Sequence, residues 1–370
     1  NEVHMVTSWT SDSPKKDWFI TNEDGIVVHW LPVRYDNRMG FFKRIKAFIH
    51  FAARSTSRSK RIGADIVFAT STPLTIALPG IFASRILRVP MVFEVRDLWP
   101  EMPIAMGILK NPVLKFLAHR LERLAYKKSE HVIALSPGME IGVKKVSPNT
   151  KVTVIPNSCD IESFSSTDVS ANDFIDSHPE LKGSHLVVYS GTFGAVNGLE
   201  YLVEVAAESK KMGSNVKYVA VGDGAMLDKI TQKSVDLNVK DDTFFIYPPI
   251  SKENVPSLLR SASLSLSLFI NLKEMQSNSA NKFFDALAAG NPIAINYGGW
   301  HSDLITEKNL GINLAPNDPK SAAQSIIDFL KDPKRIETCS KNSLETAKKH
   351  FDREKLAKKL EVILQETVNP

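Results

Sequence analysis

The sequence predicts an α/β protein of two domains, each built on a mostly parallel sheet. Short β-branched or aromatic runs alternate with segments of helical period, the arrangement that places helices over parallel strands. The alternation stops at a polar, Ser-rich passage over residues 158–172 and then restarts. A chain of 370 residues also exceeds what one hydrophobic core comfortably organises.

In the first half, strands are expected at residues 3–6, 26–30, 66–69, 91–95, 131–135 and 152–155. In the second they are expected at 186–189, 216–221, 244–246, 264–268 and 292–295, with helices such as 199–211 between them. Residues 344–364 carry the repeat of one long Lys-rich amphipathic helix, expected to pack back on the first domain. The predicted domains are therefore 1–160, 161–345 and a terminal helical segment, 346–370, with 158–172 as linker.

Composition is that of a globular protein, with 43% hydrophobic and 24% charged residues. Cys159 and Cys339 have no partner spacing for zinc or a redox pair, so a reducing compartment and a cytoplasmic location are expected. No signal peptide or membrane-spanning run is evident. The opening at Asn1, without Met and directly in strand-like alternation, predicts that the original N-terminus lies further upstream. The net charge of +5 is unevenly placed, because residues 38–61 hold eight Lys/Arg and no acid. Within them Phe41, Phe42, Lys43, Arg44 and Lys46 begin an amphipathic helix. It suits an anionic membrane surface, or equally a helix packed on the sheet with its charges merely solvated. Nucleic acid is not an expected partner, since carboxylates dilute the other basic residues and no stacking-aromatic motif accompanies them.

The chemistry-bearing residues gather where strands end, the edge at which open α/β sheets bind ligands. Ser190-Gly191-Thr192-Phe193-Gly194, followed by Asn197-Gly198, turns a strand into a helix through glycines that let backbone N–H groups approach phosphate. It lacks the dinucleotide Gly-x-Gly start, and such turns also serve tight packing. Gly222 opens a second glycine turn after a strand. Residues 277–290 form a third loop and helix, in which Asn278 or Ser279 is the expected cap and Asn278, Lys282 and Asp285 share a polar face opposite Phe284, Leu287 and Ala288. Asn281 lies in the same first turn.

In the first domain, Arg96, Asp97, Trp99 and Glu101 cluster after the strand at 91–95. An Arg96–Asp97 surface ion pair with Trp99 as core anchor is the structural alternative. Thr70, Ser71 and Asn157 end other strands with groups suited to sugar hydroxyls, although turns use the same residues. The nine histidines form no metal-ligand spacing, and no P-loop or Gly-x-Ser-x-Gly elbow is present.

Taken together, Phe93-Glu94-Val95-Arg96-Asp97-Leu98-Trp99-Pro100-Glu101, the 190–199 turn and Asn281 to Pro292 resemble retaining glycosyltransferases of the GT-B fold, family four, over almost the whole chain. The subgroup most resembled transfers amino-deoxy sugars, N-acetyl-L-fucosamine among them, in bacterial surface polysaccharide assembly.

That resemblance implies two Rossmann-like domains facing across a cleft, no cofactor and no bound metal. It also implies a nucleotide-sugar donor, expected to be UDP-linked, in the C-terminal domain and a lipid-linked glycan acceptor at the membrane. It further implies that Gly191 and Gly194 approach the diphosphate, that 278–282 line the sugar-phosphate side, and that Asp285 holds ribose hydroxyls. Ser277 stands where the family's first Glu is usual, and Thr192 and Asn197 where a phosphate-binding Arg and Lys are usual. Lys282 or backbone amides are then expected to supply the missing charge. Arg96, at a position where many members have His, would stabilise the leaving diphosphate, and Asp97 would orient a hydroxyl. The family's first strand and Gly-rich acceptor loop would precede Asn1. A nucleotide-sugar epimerase of the same fold and a non-enzymatic nucleotide-binding protein are the competing readings.

Overall fold

A computed structural model describes residues 1–10, 15–34, 39–165 and 171–369, leaving aside the side chains of 41, 42, 165 and 171–173. Two compact units emerge, one formed by residues 1–155 with 359–370 and the other by 156–358.

The first unit opens with β1 (Val3–Trp9), β2 (Phe19–Glu23) and β3 (Ile26–Pro32), in the sheet order β1-β3-β2. β1 runs parallel to β3, whereas β2 pairs with β3 antiparallel. The β2–β3 hairpin is absent from the predicted strands. Its signal was Asp24-Gly25, whose positive φ values of 51° and 85° supply the two left-handed positions of a tight hairpin turn.

Helix α1 (Phe41–Ile62) leads to β4 (Val67–Thr70), α2 (Ala77–Leu87), β5 (Met91–Val95), α3 (Glu101–Ala105), α4 (Pro112–Lys128), β6 (His131–Ala134), α5 (Pro137–Val146) and β7 (Val152–Val154). Strands β4-β5-β6-β7 form a parallel sheet in sequential order. Met91, Phe93 and Val95 pack with Ala77 and Ile81 of α2 and Ala125 and Tyr126 of α4. The outer edges of β1 and β4 line one groove of about 550 Å³, together with the apolar stripe of α1 (Phe48, Phe51, Ala52).

The second unit carries six parallel strands in the order β10-β9-β8-β11-β12-β13. They are β8 (His185–Ser190), β9 (Val216–Val221), β10 (Phe244–Tyr247), β11 (Leu264–Ser267), β12 (Ile293–Ile295) and β13 (Gly311–Asn313). The sheet is covered on both faces, and consecutive residues show it: Val187 and Tyr189 of β8 enter one core, Leu186 and Val188 the other. Before the sheet stand the short helices α6 (Ile161–Ser165) and α7 (Ala171–Asp176). The first core is closed by α8 (Leu199–Lys211), α9 (Leu227–Asp236) and, further along, α13 (Pro319–Leu330). The second is closed by α10 (Val255–Arg260), α11 (Asn281–Ala288) and α12 (Trp300–Lys308).

Two expectations need correction. The passage read as a linker joins the second unit: Cys159 and Phe164 are buried in its core, and Cys159 N–H donates to the Phe351 carbonyl at 2.9 Å. Residues 166–170 of that passage lie outside the described residues. The single helix expected over 344–364 is interrupted. Helix α14 (Pro333–Thr346) ends in a wide turn over Ala347–Phe351, and α15 (Arg353–Val368) starts afresh. Phe351 is buried in the core, the Cys159 carbonyl accepts from Arg353 N–H, and Asp352 accepts from Lys355 N–H at 3.2 Å as the new cap. Core burial of one aromatic thus outweighs continuation of the helical ladder.

Candidate functional site: a donor-type anion site and an acidic strand end

In the second unit the loops after β8, β9 and β11 meet at the carboxyl edge of the sheet. The Gly191-Thr192-Phe193 turn is braced on the next loop, since Gly191 N–H donates to the Val221 carbonyl at 3.0 Å and Phe193 N–H to that of Asp223 at 2.8 Å. Gly191 therefore contributes a shape rather than a free donor. Gly222 explains the closeness: its φ is +153°, and a Cβ there would fall 1.9 Å from the Gly191 carbonyl oxygen. Replacing Gly222 by Ala is expected to cost roughly 2–4 kcal/mol, read as a lowered urea midpoint, because backbone rather than a flexible side chain must yield.

Against this turn stands Lys282, in the first turn of α11. Its Nζ donates to the Tyr189 hydroxyl at 2.8 Å and to Asn197 Oδ1 at 3.2 Å, and it lies 4.5 Å from the Tyr189 ring centroid. Asn197 is itself fixed, being buried and donating from Nδ2 to the Thr192 carbonyl at 2.7 Å. No carboxylate forms an ion pair with Lys282 among the described residues. Burial pulls its pKa down to about 7. A Cβ on Gly191 would sit 3.6 Å from Lys282 Cε, so glycine leaves room beside the ammonium group. A desolvated cation facing a glycine turn without a counter-ion is a group that an anion would stabilise.

The start of α11 differs from expectation in a way that favours the same chemistry. Ala280, not Asn278 or Ser279, occupies the cap position, and no side chain caps the helix. The N–H groups of Asn281 and Lys282 consequently have no hydrogen-bond partner among the described residues, leaving the positive end of the helix open. Asn278 lies ahead of the helix rather than on its polar face. Its Oδ1 accepts from Ala280 N–H at 3.1 Å, and its carbonyl accepts from Trp300 Nε1 at 2.7 Å, so it pins the loop. Ser279 accepts from Asn157 N–H at 3.1 Å and also receives the Asn157 side chain on its carbonyl. Asn157, expected at a strand end of the first domain, thus belongs to the second unit. Asp285, one turn after Lys282, is half-buried, and burial raises its pKa to about 6 against the pull of Lys252. Phe284, Leu287 and Ala288 are buried as the apolar stripe required, with Phe283 added to them.

In the first unit the strand ends converge as well. Arg96 N–H donates to Ser71 Oγ at 3.1 Å, Ser71 N–H to the Glu94 carbonyl at 3.0 Å, and Thr70 Oγ1 to Glu94 Oε2. Ser71 is buried and joins the ends of β4 and β5. Arg96 is exposed, while Asp97 is half-buried. Its carboxyl is raised to about 6, burial outweighing the neighbouring Arg96. Trp99 packs against the core of the sheet.

Glu101, expected in one cluster with Arg96, Asp97 and Trp99 on the acceptor side, is set beside Glu122 by the structure. Glu101 Oε2 is buried without a hydrogen-bond partner, and ligand atoms of Glu101, His119 and Glu122 lie within 4.8 Å of one another, a grouping that histidine spacing did not reveal. Burial, with Glu101 adding to it, pushes Glu122 up to about 8, and the Tyr126 hydroxyl bonds to it. Glu122 therefore keeps its proton at neutral pH. Folded Glu122 keeps its proton to about 8, unfolded Glu122 only to about 4.5, so the folded state binds more protons in that window and loses stability as pH rises through it. Glu122→Gln stays neutral and is expected to lose less over the same range, by up to about 1.4 kcal/mol per pH unit in urea titrations.

The basic segment is placed partly. Lys43 and Lys46 are exposed on α1, and Arg44 lines the β1–β4 groove with Nε buried and unpartnered. The side chains of Phe41 and Phe42 lie outside the described residues. No helix among the described residues is long and apolar enough to cross a membrane.

Two parallel sheets with ligand-type loops at their carboxyl edges, one of them a cation and glycine turn, define a Rossmann-like pair of the GT-B class. Residues 171–346 match the family of glycosyl transferases group 1, and residues 1–158 match the glycosyl transferase 4-like domain. The two matches follow one another along the chain and place it among the glycosyltransferases. It is 26% identical over 294 residues to a probable glycosyltransferase, WbjE, of Pseudomonas aeruginosa, covering 78% of this chain and 70% of that one. It is also 23% identical over 358 residues to an alpha-D-kanosaminyltransferase of Streptomyces kanamyceticus, covering 92% and 89%. Among solved structures, sucrose-phosphate synthase from Thermosynechococcus elongatus superposes with a TM-score of 0.78 at 16% identity, covering 99% of this chain and 88% of that one. HepE from Anabaena, in complex with UDP and glucose, superposes at 0.74 and 16%, covering 99% and 100%.

Tyr189 and Phe269, which frame Lys282, escaped the sequence reading. Tyr189 reads as one more apolar residue of a buried strand, and only its place directly before Ser190-Gly191 marks it.

Proposed function

We propose that the protein transfers an amino-deoxy hexose from a UDP-linked donor to a polyprenyl-diphosphate-linked glycan, with retention of anomeric configuration, in capsule or O-antigen assembly at the cytoplasmic face of the plasma membrane. The observation that carries the reading is the ion-pair-free Lys282 ammonium between the Gly191–Gly194 turn and the open N–H groups of α11. A diphosphate matches that arrangement in charge and in number of acceptors. HepE, whose structure holds UDP and glucose, supports a uridine donor, and the kanosaminyltransferase supports an amino sugar.

In the proposed step the bond from the sugar's anomeric carbon to the diphosphate oxygen breaks as a bond to the acceptor oxygen forms on the same face. The acceptor proton passes to the departing phosphate oxygen, and Lys282 with the α11 amides holds the charge that develops on it. Asp285 takes the ribose hydroxyls. In the first unit, Asp97 with Arg96 receives the acceptor hydroxyl, and Thr70, Ser71 and Trp99 shape its surroundings.

Incubation with radiolabelled UDP-sugars and a polyprenyl-diphosphate-linked glycan tests the reading. Label entering the lipid fraction only with acceptor present, in the anomeric form of the donor, is expected. Epimerised free donor without transfer would replace this reading by the epimerase, and inert donor by a binding protein.

A further inference from the structure

Helix α4 inverts the usual pattern of a surface helix. Val113, Phe116, Leu117 and Leu124 are 63%, 60%, 54% and 41% exposed, whereas its one acidic residue, Glu122, is buried at 1%. At 100° per residue these four apolar side chains fall on one stripe, opposite the buried arc of Glu122, Ala125 and Tyr126. Cations border the stripe. Arg120 lies within it, 5.8 Å from the Phe116 ring, and Arg123, Lys127 and Lys128 are exposed around it. The helix exposes no carboxylate. The adjoining α2 extends the same chemistry, leaving Phe82 and Ile86 49% and 47% exposed beside exposed Arg85.

We infer that the outer face of α4 seats on an anionic lipid surface. An apolar stripe wide enough to enter the interface, ringed by cations and free of exposed acid, is complementary to a negatively charged headgroup layer. A protein partner would need only the stripe; charge of one sign along the whole helix is what selects the lipid. The other basic helix, α1, is less suited to carry the contact, because Phe48, Phe51 and Ala52 turn into the groove beside β1 and β4. The inference deepens the membrane-facing part of the proposed function, and its test needs neither sugar nor acceptor, so it can fail while the transferase reading stands.

Co-sedimentation with vesicles of phosphatidylcholine alone, or mixed equally with phosphatidylglycerol, decides the matter. The full chain is expected to bind the mixed vesicles at least ~10-fold more tightly, and less so as salt is raised. Phe116→Ser with Leu117→Ser should weaken that binding at least ~10-fold while leaving the urea midpoint unchanged, since both side chains are exposed. Lys43→Glu with Lys46→Glu should weaken it less. Equal binding to both vesicles, no binding, or an undiminished Phe116/Leu117 variant would overturn the assignment. So would a concentration-dependent dimer abolished by the same pair of substitutions, because the stripe would then join two copies of the chain.

Discussion

Lys282→Ala is expected to weaken UDP binding roughly 10- to 100-fold, about 1.5–3 kcal/mol, while leaving the fold intact. The fold survives because the ammonium group forms no ion pair and is held by one hydroxyl and one amide oxygen. Removing a half-buried cation that costs desolvation does not strip the core of a needed contact. The ligand, in contrast, loses a charge-assisted partner. Calorimetric titration of UDP into both proteins checks it, and equal affinities would remove Lys282 from the site. The pH dependence follows from the same environment. The free protein holds Lys282 protonated only below about 7, and a bound diphosphate favours the charged form. Affinity should therefore fall as pH rises through 7, with proton uptake on binding above it, and Lys282→Ala should abolish both.

Asp97→Asn is expected to lower kcat by about 100-fold with UDP affinity unchanged, because the acceptor hydroxyl loses the carboxylate that orients it. Asp97 sits directly after β5, half-buried, its carboxyl raised to about 6 by burial against the pull of Arg96. It is charged above that value and neutral below it, so wild-type activity should decline as pH drops through 6. The variant should lack that limb. Asn keeps the shape and a hydrogen-bonding oxygen while removing the charge, so a variant of undiminished kcat would reduce Asp97 to a structural role.

Much of this arrangement was legible because it depends on short-range signals. Strand runs in the second half fell where β8 to β12 lie, since burial on both sheet faces writes a largely apolar run into most of these strands, β11 with its buried Ser265 and Ser267 being the exception. Lys282 and the glycine turns were legible as types of chemistry at strand ends. What sequence did not show was pairing over distance. Asn157 meets Ser279 across more than a hundred residues of chain, Phe351 carries Cys159 into the core, and Glu101 finds Glu122 on a different helix. Each depends on which elements the topology makes neighbours. The cap of α11 failed for another reason: three polar residues precede the helix, and the two that could have capped it are committed to the loop. The hairpin carries a local signal in Asp24-Gly25, which a parallel α/β pattern masks because it favours a helix between strands.

The central claim is that the C-terminal unit binds the diphosphate of a nucleotide sugar between the Gly191–Gly194 turn and the start of α11. A crystal structure of the full chain with UDP tests it most directly. The account predicts diphosphate oxygens within hydrogen-bond distance of Lys282 Nζ and of the Asn281 or Lys282 backbone N–H, with ribose hydroxyls on Asp285. A diphosphate bound elsewhere, with Lys282 still directed only at Tyr189 and Asn197, would contradict it.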